Sequence, residues 1–167
     1  MLYPEAMPVH PTSIDRGIQL GFIVAHRMLR AYWAVTRPQT RGALVAVWNT
    51  GELLIVKNSY RTEHTLPGGY RRPGETPEEA GARELAEECA MYIDPRSIRE
   101  AYHGVHPFEF RKDDVTIVET EIETRPAQIG IDYREVTWAG FKTPEEILRM
   151  KIVPHLREYL EQRRNRA

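Results

Sequence analysis

Glu84, Glu87 and Glu88 crowd into five residues, in the string Arg-Glu-Leu-Ala-Glu-Glu that begins at Arg83. In a helix the offsets i, i+3 and i+4 put all three carboxylates on one face. Like charges so placed cost about 0.2–0.5 kcal/mol per pair when exposed. They cost more when half-buried, and one group then tends to keep its proton. A divalent cation removes that penalty. Mg2+ takes hard oxygen donors and commonly binds one or two carboxylates together with substrate phosphates. A solvated acidic face is the plainer reading of the string by itself. Its neighbours shift the balance toward chemistry. Gly68 and Gly69 follow Leu66-Pro67, and paired glycines let backbone approach an ion or a phosphate closely. Arg83 is a forked, permanent cation that can hold two carboxylates in place, and Glu75 precedes it by eight residues.

These side chains need a scaffold. Thr76, Pro77 and Glu79 form a capping box with proline at the first helical position, which predicts a helix over Pro77–Met91. Within it Ala82, Leu85, Ala86 and Cys89 follow helical spacing on another face, apolar enough to be buried. Before it, "GALVAVWN" and "ELLIVKN" read as a hairpin joined by Asn49-Thr50-Gly51. After it, Asp94-Pro95 breaks the helix. "SIREAYHGV" and "PFEFR" read as strands, "KDD" as a turn, and "VTIVETEIET" and "EVTWAGF" as two further strands. The C-terminal stretch is helical, with Thr143 as cap, Pro144 first and Glu146 completing a box; Pro154 kinks or divides it. An earlier helix runs from about Ser13, its expected cap, to Val35. Ile18, Phe22, Leu29 and Trp33 lie near helical spacing there, for packing on the main domain or on a second subunit. Met1 to Pro11 reads as an arm. The order of helices and strands predicts one α+β or mixed-sheet domain with helices on both faces.

Gly69, Glu75, Arg83, Glu84, Leu85, Glu87, Glu88 and Met91 match the spacing G-x5-E-x7-R-E-U-x-E-E-x-G-U, where U is aliphatic. This stretch resembles the Nudix box. Ala90 is the one departure, where the family has glycine, and it removes no metal ligand. The resemblance implies an α/β/α sandwich over residues 39–167, with residues 1–38 as an N-terminal extension. It also implies Mg2+- or Mn2+-dependent hydrolysis of a pyrophosphate bond in a nucleoside diphosphate linked to another group. Carried over by position, Glu87 and Glu88 are the principal metal ligands, with the Gly68 carbonyl as a further one. Glu84 binds metal or acts on the water, and Arg83 with Glu75 is the orienting pair. The general base comes from the box or from a later glutamate. Glu135 is the best distal candidate, because "EVTW" resembles a late segment of the family, although an exposed strand residue is an equal reading. An ADP-ribose-like or nucleotide-sugar substrate is weakly favoured over a nucleoside triphosphate, with Pro107 as a loose marker. A non-catalytic nucleotide-sensing module is the alternative from another class.

Other residues carry less. Tyr60 and Arg61, in the loop before "LPGG", are candidates to stack on a base and to meet phosphate. His103 and His106 lie three apart in a strand and face opposite ways, which argues against a metal pair. Glu119, Glu121 and Glu123 alternate along a strand and read as a solvated face. Cys89, Trp48 and Trp138 read as packing residues. The charge balance, 23 basic against 24 acidic residues, argues against a general polyanion binder. One cysteine leaves no intramolecular disulfide and suits a reducing, cytoplasmic setting. The longest early apolar run stops at His26-Arg27, far short of the roughly 20 residues a bilayer span needs. A homodimer through the N-terminal helix is a further expectation, and no nucleic-acid partner is expected.

Overall fold

The computed structural model describes residues 11–166, so the expected arm, apart from Pro11, lies outside the described residues. The chain opens on α1 (Ser13–Thr36) and continues through β1 (Gln39–Asn49), β2 (Glu52–Asn58), β3 (His64–Thr65) and β4 (Gly68–Tyr70). Next come α2 (Pro77–Cys89), β5 (Arg99–Phe108), β6 (Arg111–Glu121), β7 (Val136–Lys142), α3 (Pro144–Arg149) and α4 (Pro154–Arg166). The strands form one mixed sheet in the order β3-β2-β1-β6-β5, with β4 paired to β1 and β7 to β2. The β1–β6 pair is parallel.

Alternation along β1 decides the layers. Val45 and Val47 point to one face and pack with Leu54, Val56, Leu85 and Cys89 under α2. Ala46 and Trp48 point to the other and pack with Leu53, Ile55, Leu156 and Tyr159 under α3 and α4. The result is the expected α/β/α sandwich. The capping boxes at Thr76 and Thr143 form as read, and Pro154 starts a separate helix.

Three local expectations are corrected. Thr12, not Ser13, caps α1: its hydroxyl accepts from the Asp15 N–H, and Asp15 answers with its carboxylate. The "KDD" segment is not a turn. Lys112–Asp114 lie inside β6, where Asp113 accepts hydrogen bonds from Thr40 and Arg111. The turn falls one step earlier, because Phe108 pairs with Arg111 and leaves Glu109 and Phe110 as a two-residue loop. Consequently "SIREAYHGV" and "PFEFR" do not form two strands; Arg99–Phe108 is one. Both loop residues have positive φ, 49° and 69°. Tight hairpins ask for this geometry but usually supply Asn-Gly. Side-chain-bearing residues there cost about 1–3 kcal/mol each. Lastly, Glu119 is not solvated. It is buried and accepts from Tyr159 and Arg163.

The α1 helix docks through an unexpected stripe. Asp15, His26 and Trp33 are its buried residues, whereas Phe22 and Leu29 stay more than a third exposed. Trp33 lies under the Arg111 guanidinium at 4.1 Å from the ring centre, His26 meets Glu109 at 2.9 Å, and Phe22 stacks on Tyr60. Polar and cation–π contacts help seat this helix, so apolar periodicity found Trp33 and Phe22 but missed Asp15 and His26.

Candidate active site

A cleft of about 590 Å3 opens where β1, β4 and the Arg83–Glu87 stretch of α2 meet. The capped N-terminus of α2 fixes which way its glutamates point, and the close approach of β4 fixes how near they come. Gly68 has φ 150°, and a side chain there would meet the Ala43 carbonyl at 2.3 Å. A side chain on Gly69 would lie 2.6 Å from Glu84 Oε1. Both glycines are therefore needed to bring β4 against β1 and under the α2 carboxylates.

The box residues divide by environment. Glu88 is 3% exposed, accepts from the Gly68 N–H at 3.0 Å and from Asn58 Nδ2 at 3.2 Å. Burial pushes its carboxyl well above the usual range, and the charges of Glu135 and Glu84 push the same way. Glu84 is also raised by burial, with Glu87 and Glu135 adding to the effect against the pull of Arg83. Glu87 is half-exposed and lies 3.3 Å from Arg83 and 3.4 Å from Arg72. Arg83 is the hub. Its Nε and Nη2 reach the two Glu75 oxygens at 2.8 and 3.0 Å, and its Nη1 reaches Glu84 at 2.6 Å. That grip holds the Glu75 carboxyl down at about 2. Glu135, in the turn before β7, accepts from the Tyr60 hydroxyl at 2.8 Å.

Glu84, Glu87 and Glu135 thus line one cleft with Gly68, Tyr60 and Arg61, and Glu88 lies beneath it. Every site residue expected from the sequence is in or against this cleft. Sequence reasoning missed Asn58, Arg111 and Asp113. Asn58 ends an ordinary strand, and nothing local marks it as a partner of Glu88. Arg111 and Asp113 were hidden by the misplaced turn. His103 and His106 have separate partners, Asp114 and Glu158, as their spacing implies.

The residues suit a divalent cation in donor type: hard carboxylates, one of them deeply buried beside two others, with raised proton affinity that a cation would relieve. Among the described residues no three such side chains already converge in metal-holding geometry. Arg83 and Arg72 occupy Glu84 and Glu87, so these two carboxylates must turn to take up an ion.

The family model for the NUDIX domain matches residues 38–162, and the chain belongs to the Nudix hydrolase family. Solved structures agree on the fold. A MutT protein from Methanosarcina mazei superposes with a TM-score of 0.66 at 21% identity, over 80% of this chain and 99% of its own. The NUDIX domain of Shewanella oneidensis NrtR, complexed with ADP ribose, gives 0.64 at 19%, over 77% and 88%. A bifunctional NMN adenylyltransferase/ADP ribose pyrophosphatase from Francisella tularensis, with AMP and a manganese ion, gives 0.61 at 16%, over 86% of this chain and 47% of that one. No curated protein matches the chain closely enough to be counted a relative. No described helix is long and apolar enough to cross a membrane.

Proposed function

We propose that the chain hydrolyses the pyrophosphate bond of a nucleoside diphosphate linked to a second group, with Mg2+ as the preferred ion and Mn2+ as a substitute. The observation that carries this reading is Glu88, buried next to Glu84 and Glu135 beside a cleft wide enough for a nucleotide. A bare cluster of this kind repels itself; a cluster that receives a cation does not.

In this reading Glu87, Glu88, Glu84 and the Gly68 carbonyl hold the ion. When bound, it neutralises charge on the diphosphate and makes a coordinated water more acidic. The chain's own residues do the rest. Arg83, locked on Glu75, sets the aim of Glu84 and Glu87. Glu135 accepts the proton of the attacking water, and Tyr60 steadies Glu135. Water oxygen bonds to phosphorus while the bridging P–O bond breaks, and its oxygen leaves with the other half. Arg61 and Tyr60 face the substrate from the loop after β2. Residues 39–167 form the catalytic domain and 1–38 the extension.

An ADP-ribose-like or nucleotide-sugar substrate is preferred over a nucleoside triphosphate, supported by the ADP ribose bound to the Shewanella domain. A non-catalytic nucleotide sensor is the rival, and the presence of every box glutamate, Glu84, Glu87 and Glu88 included, disfavours it. Turnover of about fifty nucleoside diphosphate derivatives, with and without Mg2+, decides. Metal-dependent release of identified products supports the enzyme; tight binding without any product supports the sensor. A cytoplasmic homodimer belongs to the same proposal. The exposed Leu20, Val24, Met28 and Val35 of α1 support the dimer, and sedimentation equilibrium tests it.

A further inference from the structure

Two arginines face one cavity without acceptors for their hydrogen bonds. A cavity of about 500 Å3 lies between α1 and the β5–β6 turn, and Tyr60 and Arg61 separate it from the catalytic cleft, lining both. Arg30 enters it from α1. Arg61 enters from the loop after β2; its side chain is 17% exposed, and its Nε is buried with no partner. Their guanidinium groups stand over aromatic rings, Arg30 on Phe110 at 5.8 Å and Arg61 on Tyr60 and Phe108 at 5.6 and 5.7 Å.

The nearby carboxylates offset the arginines' charge but leave their hydrogen-bond sites unfilled. Glu109 lies 3.6 Å from Arg61 and 3.9 Å from Arg30, too far for hydrogen bonds. It is already bonded to His26 at 2.9 Å and to Arg111 at 3.1 Å. Glu63 is paired with Lys151 at 3.0 Å. A largely buried guanidinium without acceptors keeps the cost of losing its water. An oxyanion supplies those acceptors, and phosphate matches the arginine fork. The strained Glu109–Phe110 turn is what presents the Phe110 ring to Arg30 and anchors Glu109 behind both cations.

We propose that this cavity binds a phosphate group of the substrate remote from the diphosphate, gripped between Arg30 and Arg61. It rests on the hydrolase reading for where the diphosphate sits. Arg30 lies outside the matched residues 38–162 and Arg61 within them, so the subsite joins the N-terminal helix to the domain.

Pairs of diphosphates that differ by one distal phosphate test it: NADPH against NADH, and coenzyme A against dephospho-coenzyme A. Titration calorimetry on the metal-free full chain should show at least one phosphorylated member bound about tenfold tighter than its partner, or 1.4 kcal/mol. Arg30→Gln or Arg61→Gln should bring that ratio below about threefold, with unchanged circular dichroism. Arg27→Gln, an equal loss of charge on the same helix, should preserve it. Equal affinities in both pairs, no binding, a ratio that survives both variants, or an equal loss in the Arg27 variant would each overturn the proposal. Turnover with Mg2+ is read separately. Phosphate preference without turnover counts against the hydrolase reading alone.

Discussion

The Tyr60 hydroxyl donates to Glu135 Oε1 at 2.8 Å, tying the loop after β2 to the turn before β7. The Tyr60 ring also packs on Phe22 and His26 of α1. One side chain therefore joins the proposed base to the N-terminal helix. Tyr60→Phe keeps the ring and loses the hydrogen bond. Hydrogen bonds to charged groups are worth about 1.5–3 kcal/mol, so kcat should fall roughly tenfold to a hundredfold in steady-state assays. An unchanged kcat would remove the Tyr60 hydrogen bond from catalysis.

Glu87 and Glu88 should differ in stability while sharing a loss of activity. Each Glu→Gln variant is expected to lose at least about 100-fold in turnover, beyond what losing a merely orienting group costs. In EDTA, Glu88→Gln should melt at or above the wild-type temperature, because a buried carboxylate among Glu84 and Glu135 is replaced by a neutral isostere. Saturating Mg2+ should raise the wild-type midpoint by roughly 5–10 °C and leave Glu88→Gln unmoved. A normal Mg2+ response in that variant would remove Glu88 from the ligand set.

Ala90 ends α2 in the left-handed region, at φ 52° and ψ 29°, with its N–H donated back to Ala86. A side chain in that conformation is strained, and glycine is not. Ala90→Gly should stabilise the chain by about 1 kcal/mol, raising the melting temperature by roughly 2–4 °C. A fall in melting temperature would mean that the alanine methyl packs usefully.

Glu109 sets an acid limb. Burial by itself would raise its carboxyl, but the His26 hydrogen bond and the Arg61 and Arg111 charges outweigh that and hold it at about 2. Its ordinary value is 4.5, so the native state binds fewer protons than the unfolded chain between these values. The stabilisation is complete above about 4.5 and disappears as pH falls through 2. Glu109→Gln should cost about 3 kcal/mol at neutral pH, since it strands buried cations, and much less near pH 2. Urea midpoints across that range check it; a cost independent of pH would exclude the carboxylate as the source.

The carboxylates of the candidate site were legible because helix geometry is local. Thr76, Pro77 and Glu79 fix where α2 begins, and 3.6 residues per turn then place Glu84, Glu87 and Glu88 with no knowledge of the rest. What could not be read depended on partners far along the chain. Lys112–Asp114 looks like a turn by composition, and only pairing of β6 with β1 and β5 makes it a strand. The docking face of α1 is set by distant partners, Glu109 for His26, Arg111 for Trp33 and Arg134 for Asp15, so its buried residues include an aspartate and a histidine that apolar periodicity skips. Asn58 is identifiable only once Glu88 is beside it.

The seat of α1 carries a consequence for biosynthesis. His26 finds its partner 83 residues downstream. At elongation rates of about 5–20 residues per second, on the order of 4–17 s separate the translation of the two. During that interval the nascent helix trails from the ribosome with Trp33, which the finished fold buries, still unshielded, and a co-translational chaperone would meet it before its own domain does.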